Sequence, residues 1–198
     1  VRIGSATLET GALRGGAGGA QHIRWALTYR DGGTPMLFLP ERTYQARLPK
    51  AKALCTRPQA VFDGMLEVDG EAIAIDGWTG SENHNWGGKH TDTYAWGQVV
   101  GFDDAPEAFL ECATARLKLG PFWTPPMTIA CLRFDGHDYR LNSWRQMFRA
   151  QGEWKDHDWH FDSAGAGVRI HGHIHAAPED FVSLTYYNPP GGTHTCLN

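Results

Sequence analysis

From Trp78 to Gln98 the chain concentrates side chains able to do chemistry: Glu82, Asn83, His84, Asn85, Trp86, His90, Asp92, Tyr94, Trp96 and Gln98, with few aliphatic residues between them. An imidazole titrates at about pH 6.5, where general acids and bases work, so His84 is the first candidate for proton transfer. Asn83 and Asn85 are placed to orient it or to hold a substrate oxygen. A carboxyl group desolvated beside Trp86 and Trp96 would keep its proton, and Asp92 or Glu82 would then act as an acid. Tyr94 and Gln98 extend the polar wall. The plainer reading of the same residues is a hydrogen-bonded corner of a β domain with Trp86 plugging its end.

Two further clusters stand out. His171, His173 and His175 alternate with Gly172 and Ile174, so three imidazoles and Arg169 share one strand face. Such a stripe can bind zinc, but one flat strand seldom offers a tetrahedral set and no local carboxylate completes it. We read it as a solvent-facing ladder and assign no metal. Trp154 to His160 mixes Lys155, Asp156, His157 and Asp158 between two Trp, a composition suited to an edge strand whose charges discourage aggregation. No nucleophile elbow, zincin helix or dinucleotide fingerprint occurs, and no cofactor is expected.

The elements that must position these residues read as strands. From Asp92 the period is two, with Asp92, Tyr94, Trp96 and Gln98 on one face, so this strand lines something partly polar. Strands are predicted at His22–Arg30, Met36–Leu39, 61–75 (a hairpin about Asp69-Gly70), 109–119, 127–134, 137–141, 153–161, 168–175 and, as the last, 181–187. Asp31-Gly32-Gly33 and Asp76-Gly77 are read as turns. A short helix fits Lys50–Leu54, and residues 142–150 fit either a helix or a strand crossing. Sequential hairpins with almost no helix imply an all-β antiparallel barrel or sandwich and exclude a doubly wound α/β fold.

At 198 residues the chain can bury about 70% of its unfolded surface, enough for a core. Its formal net charge of −4, without a basic run, argues against nucleic acid or an anionic membrane as partner. No apolar run approaches the roughly 20 residues of a membrane-spanning helix. Cys55, Cys112, Cys131 and Cys196 show no metal or redox spacing and are read as free thiols, which with no visible signal peptide makes the cytoplasm the default location. Residues 1–20, rich in Gly and Ala, are read as a flexible arm, 21–120 as one β domain, incomplete at its start, and 121–198 as a second β-rich unit. The chain begins without Met, and we expect it to be part of a longer protein whose N-terminal portion is missing.

Phe62 to Gly70, Ile73 to Trp78, then His84-Asn85-Trp86-Gly87 and Tyr94-Ala95-Trp96-Gly97-Gln98 resemble the lipocalin-like superfamily that includes hydroxyneurosporene synthase, a carotenoid hydratase, and tocopherol cyclase. The resemblance implies two packed lipocalin-like β domains and a hydrophobic small-molecule ligand. It also implies activation of an isoprenoid-like or polyketide-like alkene by proton transfer, followed by hydration or cyclisation. On the motif fall Asn83, His84, Trp86 and Gly87, with Trp96 on the next strand. Asn83 stands where many relatives carry Asp, so the acid would be Glu82, Asp92 or His84. Failing that, the chain would be a non-catalytic carrier of the ligand, or a structural domain. Trp78, Trp86, Trp96 and Tyr94 would line the substrate and shield a carbocation, each cation–π contact contributing about 0.5–2 kcal/mol.

Overall fold

The computed structural model describes residues 6–9, 23–155, 157–188 and 191–197. Among these residues it is all-β and antiparallel, with one short α-helix, and no sheet closes into a barrel. The strands are β1 (Ala6–Glu9), β2 (Ile23–Gly32), β3 (Ala51–Val68), β4 (Glu71–Gly87), β5 (Thr93–Phe102), β6 (Ala105–Arg116), β7 (Lys118–Leu119) and β8 (Phe122–Trp123). They continue as β9 (Met127–Phe134), β10 (His137–Leu141), β11 (Gln151–Lys155), β12 (Asp158–Gly165), β13 (Val168–His175), β14 (Ser183–Tyr187) and β15 (Thr193–Leu197), with helix α1 (Trp144–Arg149) between β10 and β11. No helix among the described residues is long and apolar enough to cross a membrane.

The chain divides into two compact units, Val1–Pro35 with Thr56–Glu82, and Met36–Cys55 with Asn83–Asn198. The arm expected over residues 1–20 lies outside the described residues except for β1, whose backbone pairs with β2. In the first unit Tyr29 packs on Phe62, with ring centroids 5.4 Å apart, and the Arg57 guanidinium lies 5.4 Å over the Tyr29 ring. The turn at Asp69-Gly70 joins β3 to β4. Both residues have positive φ (51° and 90°), the mirror-image turn whose twist matches a hairpin.

The second unit is built on the sheet β10-β9-β6-β5. On one face of it Leu110, Cys112 and Ala130 pack against Trp159, Phe161 and Ile170 of the sheet β11-β12-β13. Of the buried polar groups between these sheets, the Trp159 indole N–H donates to Thr114 Oγ1 at 3.0 Å and the Thr114 and Thr128 hydroxyls lie 2.9 Å apart, while Ser163 Oγ has no hydrogen-bond partner among the described residues. The sheets approach closely because β11 presents Gly152 where a Cβ would meet both threonine hydroxyls at 2.2 Å. The opposite face buries Phe109 and Cys131 against Met36, Phe38 and Cys55.

Six local expectations are corrected. Met36–Leu39 is not a returning strand. Met36 makes a single bridge to Cys55, and the Leu37 and Phe38 carbonyls accept from Asn142 Nδ2 at 3.1 Å instead of pairing with β2. The Asp31-Gly32-Gly33 turn therefore closes no hairpin, and β2 runs to Gly32 against β3. Lys50–Leu54 is not helical, because β4 extends to Gly87 and the Gly88 N–H donates to the Lys50 carbonyl. Asp76-Gly77 does not turn the chain; β4 passes through, Gly77 taking φ 66° and its N–H donating to Asp63 Oδ1. Residues 153–161 are two strands, β11 and β12, which pair with each other, and β15 follows β14 as a final strand. Residues 142–150 resolve as α1, started by a reciprocal cap in which Ser143 and Gln146 bond each other's backbone N–H.

The close approach at Gly152 yields a test. Gly152→Ala overpacks the Thr114–Thr128 contact and should cost about 1–3 kcal/mol. That lowers the melting temperature by roughly 2–4 °C per kcal/mol for a chain of this size. Gly88→Ala, where a Cβ meets nothing within 4 Å, should melt within about 0.5 kcal/mol of the parent. Equal melting of the two variants would refute the packing account.

Candidate functional site

The second unit holds a cavity of about 500 Å³. Its floor is the face of β5, β6 and β9 turned away from the sandwich core. Tyr94 pairs with Ala115 and Trp96 with Ala113, while Ala113 and Ala115 in turn pair with Ile129 and Met127. All six line the cavity. Two alanines on the middle strand leave space that larger side chains on both neighbours enclose. Phe38, Leu39 and Ala53 form one wall, Asn85 and Trp86 another, and Tyr186 and Tyr187 of β14 a third. Tyr44 braces the walls: its hydroxyl accepts from the Leu39 N–H at 3.1 Å and donates to the Ala53 carbonyl at 2.8 Å, while its ring lies 5.9 Å from that of Trp86.

The β14–β15 hairpin is anchored along the same rim. The His90 N–H donates to Asn188 Oδ1 at 3.1 Å, and the His90 ring stacks on His194 at 5.4 Å. Tyr94 stacks on His194, and its hydroxyl lies 3.1 Å from Cys196 Sγ. Burial, and then the Cys196 contact, push the Tyr94 phenol well above its ordinary pKa, so Tyr94 stays a neutral hydrogen-bonding group.

Five of the residues singled out in the sequence, Asn85, Trp86, His90, Tyr94 and Trp96, meet in this cavity. Asn83 and Gln98 pair with each other through their side-chain amides, at 2.7 and 3.2 Å, tying the end of β4 to β5. His84 is exposed and stacks on Trp86, with centroids 5.1 Å apart, and it does not line the cavity. Asp92 forms an ion pair with Lys89 and accepts the Lys118 N–H at 3.1 Å. Burial alone would raise its pKa, but these hydrogen bonds and the Lys89 charge outweigh it, and the carboxyl titrates below its usual range. Glu82 belongs to the first unit, where it accepts from the Tyr29 hydroxyl at 2.6 Å and the Thr56 hydroxyl at 2.7 Å and lies 3.5 Å from Arg57. Trp78, also of that unit, is exposed.

One acid was missed. Glu111 is 1% exposed, and its Oε1 accepts the Trp96 indole N–H at 3.1 Å. Its Oε2 is buried with no hydrogen-bond partner among the described residues. Burial pushes its pKa up to about 7, against the opposing hydrogen bonds from Trp96 and Gln98. The signal was present in the sequence: Phe109, Glu111, Ala113 and Ala115 share one strand face, and Glu111 is the lone charge among them. The remaining missed wall residues, such as Phe38, Ala53 and Tyr186, come from separate segments that only the fold assembles.

Glu111 makes stability depend on pH. The folded state holds its proton more tightly than the unfolded chain, where the value is near 4.5. Its contribution is therefore full below that pH and lost as pH rises through about 7, a change on the order of 3 kcal/mol. Glu111→Gln should remove this slope, so that variant and parent converge in denaturant melts at acid pH while the variant is the more stable at pH 8. A constant difference across that range would rule out the buried, protonated carboxyl.

No protein-family model matches the chain. No solved structure matches it either. Two relatives are similar: the uncharacterized proteins Rv0493c and MT0513 of two strains of Mycobacterium tuberculosis, each 26% identical over 182 residues that make up 91% of this chain. Those residues cover 54% of each relative, so the chain spans about half the length of the proteins it matches.

Proposed function

We propose that this chain binds a hydrophobic small molecule, isoprenoid-like or polyketide-like, in the cavity of its second unit. The observation that carries the reading is the cavity itself: about 500 Å³ floored by Tyr94, Trp96, Ala113 and Ala115 and flanked by Trp86. Small-molecule sites span about 300–1,000 Å³ and are mostly apolar with a few polar groups, here Thr43, Lys52, Asn85, Lys89, His90 and Thr91. The lipocalin-like resemblance of the His84-Asn85-Trp86-Gly87 and Tyr94-to-Gln98 segments supports the same ligand class.

The enzyme reading, hydration or cyclisation of an alkene, has one specific support. Glu111 keeps a proton near neutral pH directly behind Trp96, a cavity wall. An acid of this kind suits alkene protonation better than Asp92, which its partners hold ionised. His84, stacked on Trp86, would act only if the motif region rearranges around substrate.

Retinol, a polyene that quenches tryptophan fluorescence, is the first probe. The parent should bind it with a dissociation constant of about a micromolar. Ala115→Phe fills the floor and should weaken binding at least about tenfold while far-UV circular dichroism is unchanged, since a few buried methylenes at about 0.8 kcal/mol each set the affinity. Unchanged affinity in Ala115→Phe would place the ligand elsewhere. Incubation with a lipid extract followed by mass analysis separates the two readings. A gain of one water marks a hydratase, a new retention at equal mass a cyclase, and an unaltered retained lipid a carrier.

A further inference from the structure

The outer face of the sheet β11-β12-β13 brings together residues that lie apart in sequence. The register sets Asp158 opposite His175 and His160 opposite His173, and Asp162 opposite His171. Alternation turns all of these outward, while Trp159, Phe161 and Ile170 on the intervening positions are buried in the core. The carboxylate that the His171–His175 stripe lacked on its own strand is thus supplied by the neighbouring one. Asp158 Oδ1 accepts from His173 Nε2 at 2.6 Å and from His175 Nδ1 at 3.1 Å. The His160 and His173 rings stack at 4.1 Å.

We propose that Asp158, His160 and His173 form a binding site for a divalent ion of the zinc type, with His175 holding the Asp158 carboxylate in place. One donor atom from each of the three lies within 4.8 Å of the others. Tetrahedral zinc with bonds of about 2.1 Å sets its donors about 3.4 Å apart, so the side chains need to close by little more than an ångström. All three are surface side chains free to make that rotation, on strands whose Cα positions are fixed by the packed inner face. Two imidazoles with one carboxylate match zinc in donor type. A ligating carboxylate held by a hydrogen bond from His175 is the outer support such sites use. Solubility alone does not call for this composition: Lys and Glu would cover the face as well, yet it carries His160, His171, His173 and His175, four of the ten histidines of the chain.

The test is calorimetric titration of the untagged chain with zinc chloride, paralleled by cobalt(II) chloride followed in the visible. We expect one ion per chain at a dissociation constant of about a micromolar, and cobalt absorption typical of imidazole and carboxylate ligation. Asp158→Asn, His160→Gln and His173→Gln should each weaken binding by at least about tenfold. His171→Gln, on the same face but outside the donor set, should leave it within about twofold. These positions are exposed, and unchanged circular dichroism of each variant separates ligand loss from misfolding. No zinc heat at about 100 μM, unchanged affinity in His173→Gln, or equal weakening by His171→Gln would each overturn the site.

Discussion

Strand β6 has to be buried on both faces, and the rest of the second unit follows from that constraint. Leu110, Cys112 and Thr114 face the sheet β11-β12-β13, while Phe109, Glu111, Ala113 and Ala115 face the cavity side. A strand with solvent on one side can alternate apolar with polar residues. β6 cannot, and its two faces solve different problems. The sandwich face is filled by large rings, and Thr114, Thr128 and Trp159 satisfy one another's polar groups within it. The other face is left underfilled by two alanines, and the void becomes the cavity. Glu111 is the cost of that second solution, a buried carboxyl group behind Trp96 whose pKa is pushed up to about 7.

Much of this was legible in the chain, and what was not has identifiable causes. Hairpins closed by Asp69-Gly70 and Asp135-Gly136 were readable because positive φ at both turn positions selects those residues. Where pairing depended on residues far apart in sequence, local pattern misled. Met36–Leu39 has the apolar run of a strand, but its carbonyls are claimed by Asn142, more than a hundred residues on. Lys50–Leu54 has helical composition, yet a β4 that runs to Gly87 takes it into a ladder.

The aromatic and polar residues between Asn85 and Trp96 were conspicuous because such side chains are unusual on a strand. The alanines that create the space beside them were invisible, since a small residue announces nothing until its neighbours are known. Likewise the histidine stripe was obvious on β13 and its carboxylate partner was not, because antiparallel register joins Asp158 to His175 only once the turn at Ala166-Gly167 is placed. Periodicity shows which side chains share a face of one strand; it does not show which strand lies alongside.

The four thiols divide sharply. Cys55, Cys112 and Cys131 are buried, whereas Cys196 is partly open. Burial, and then the neighbouring Glu111 carboxylate, push the Cys112 thiol up to about 12, and the same two causes push Cys131 up as well. A thiol so disfavoured as thiolate does not react with alkylating reagents at neutral pH. Cys196 lies against the Tyr94 hydroxyl, one contact from the cavity wall. The folded chain therefore carries its own labelling position: a single fluorophore or spin probe attached there would report on the cavity rim without any cysteine having to be removed.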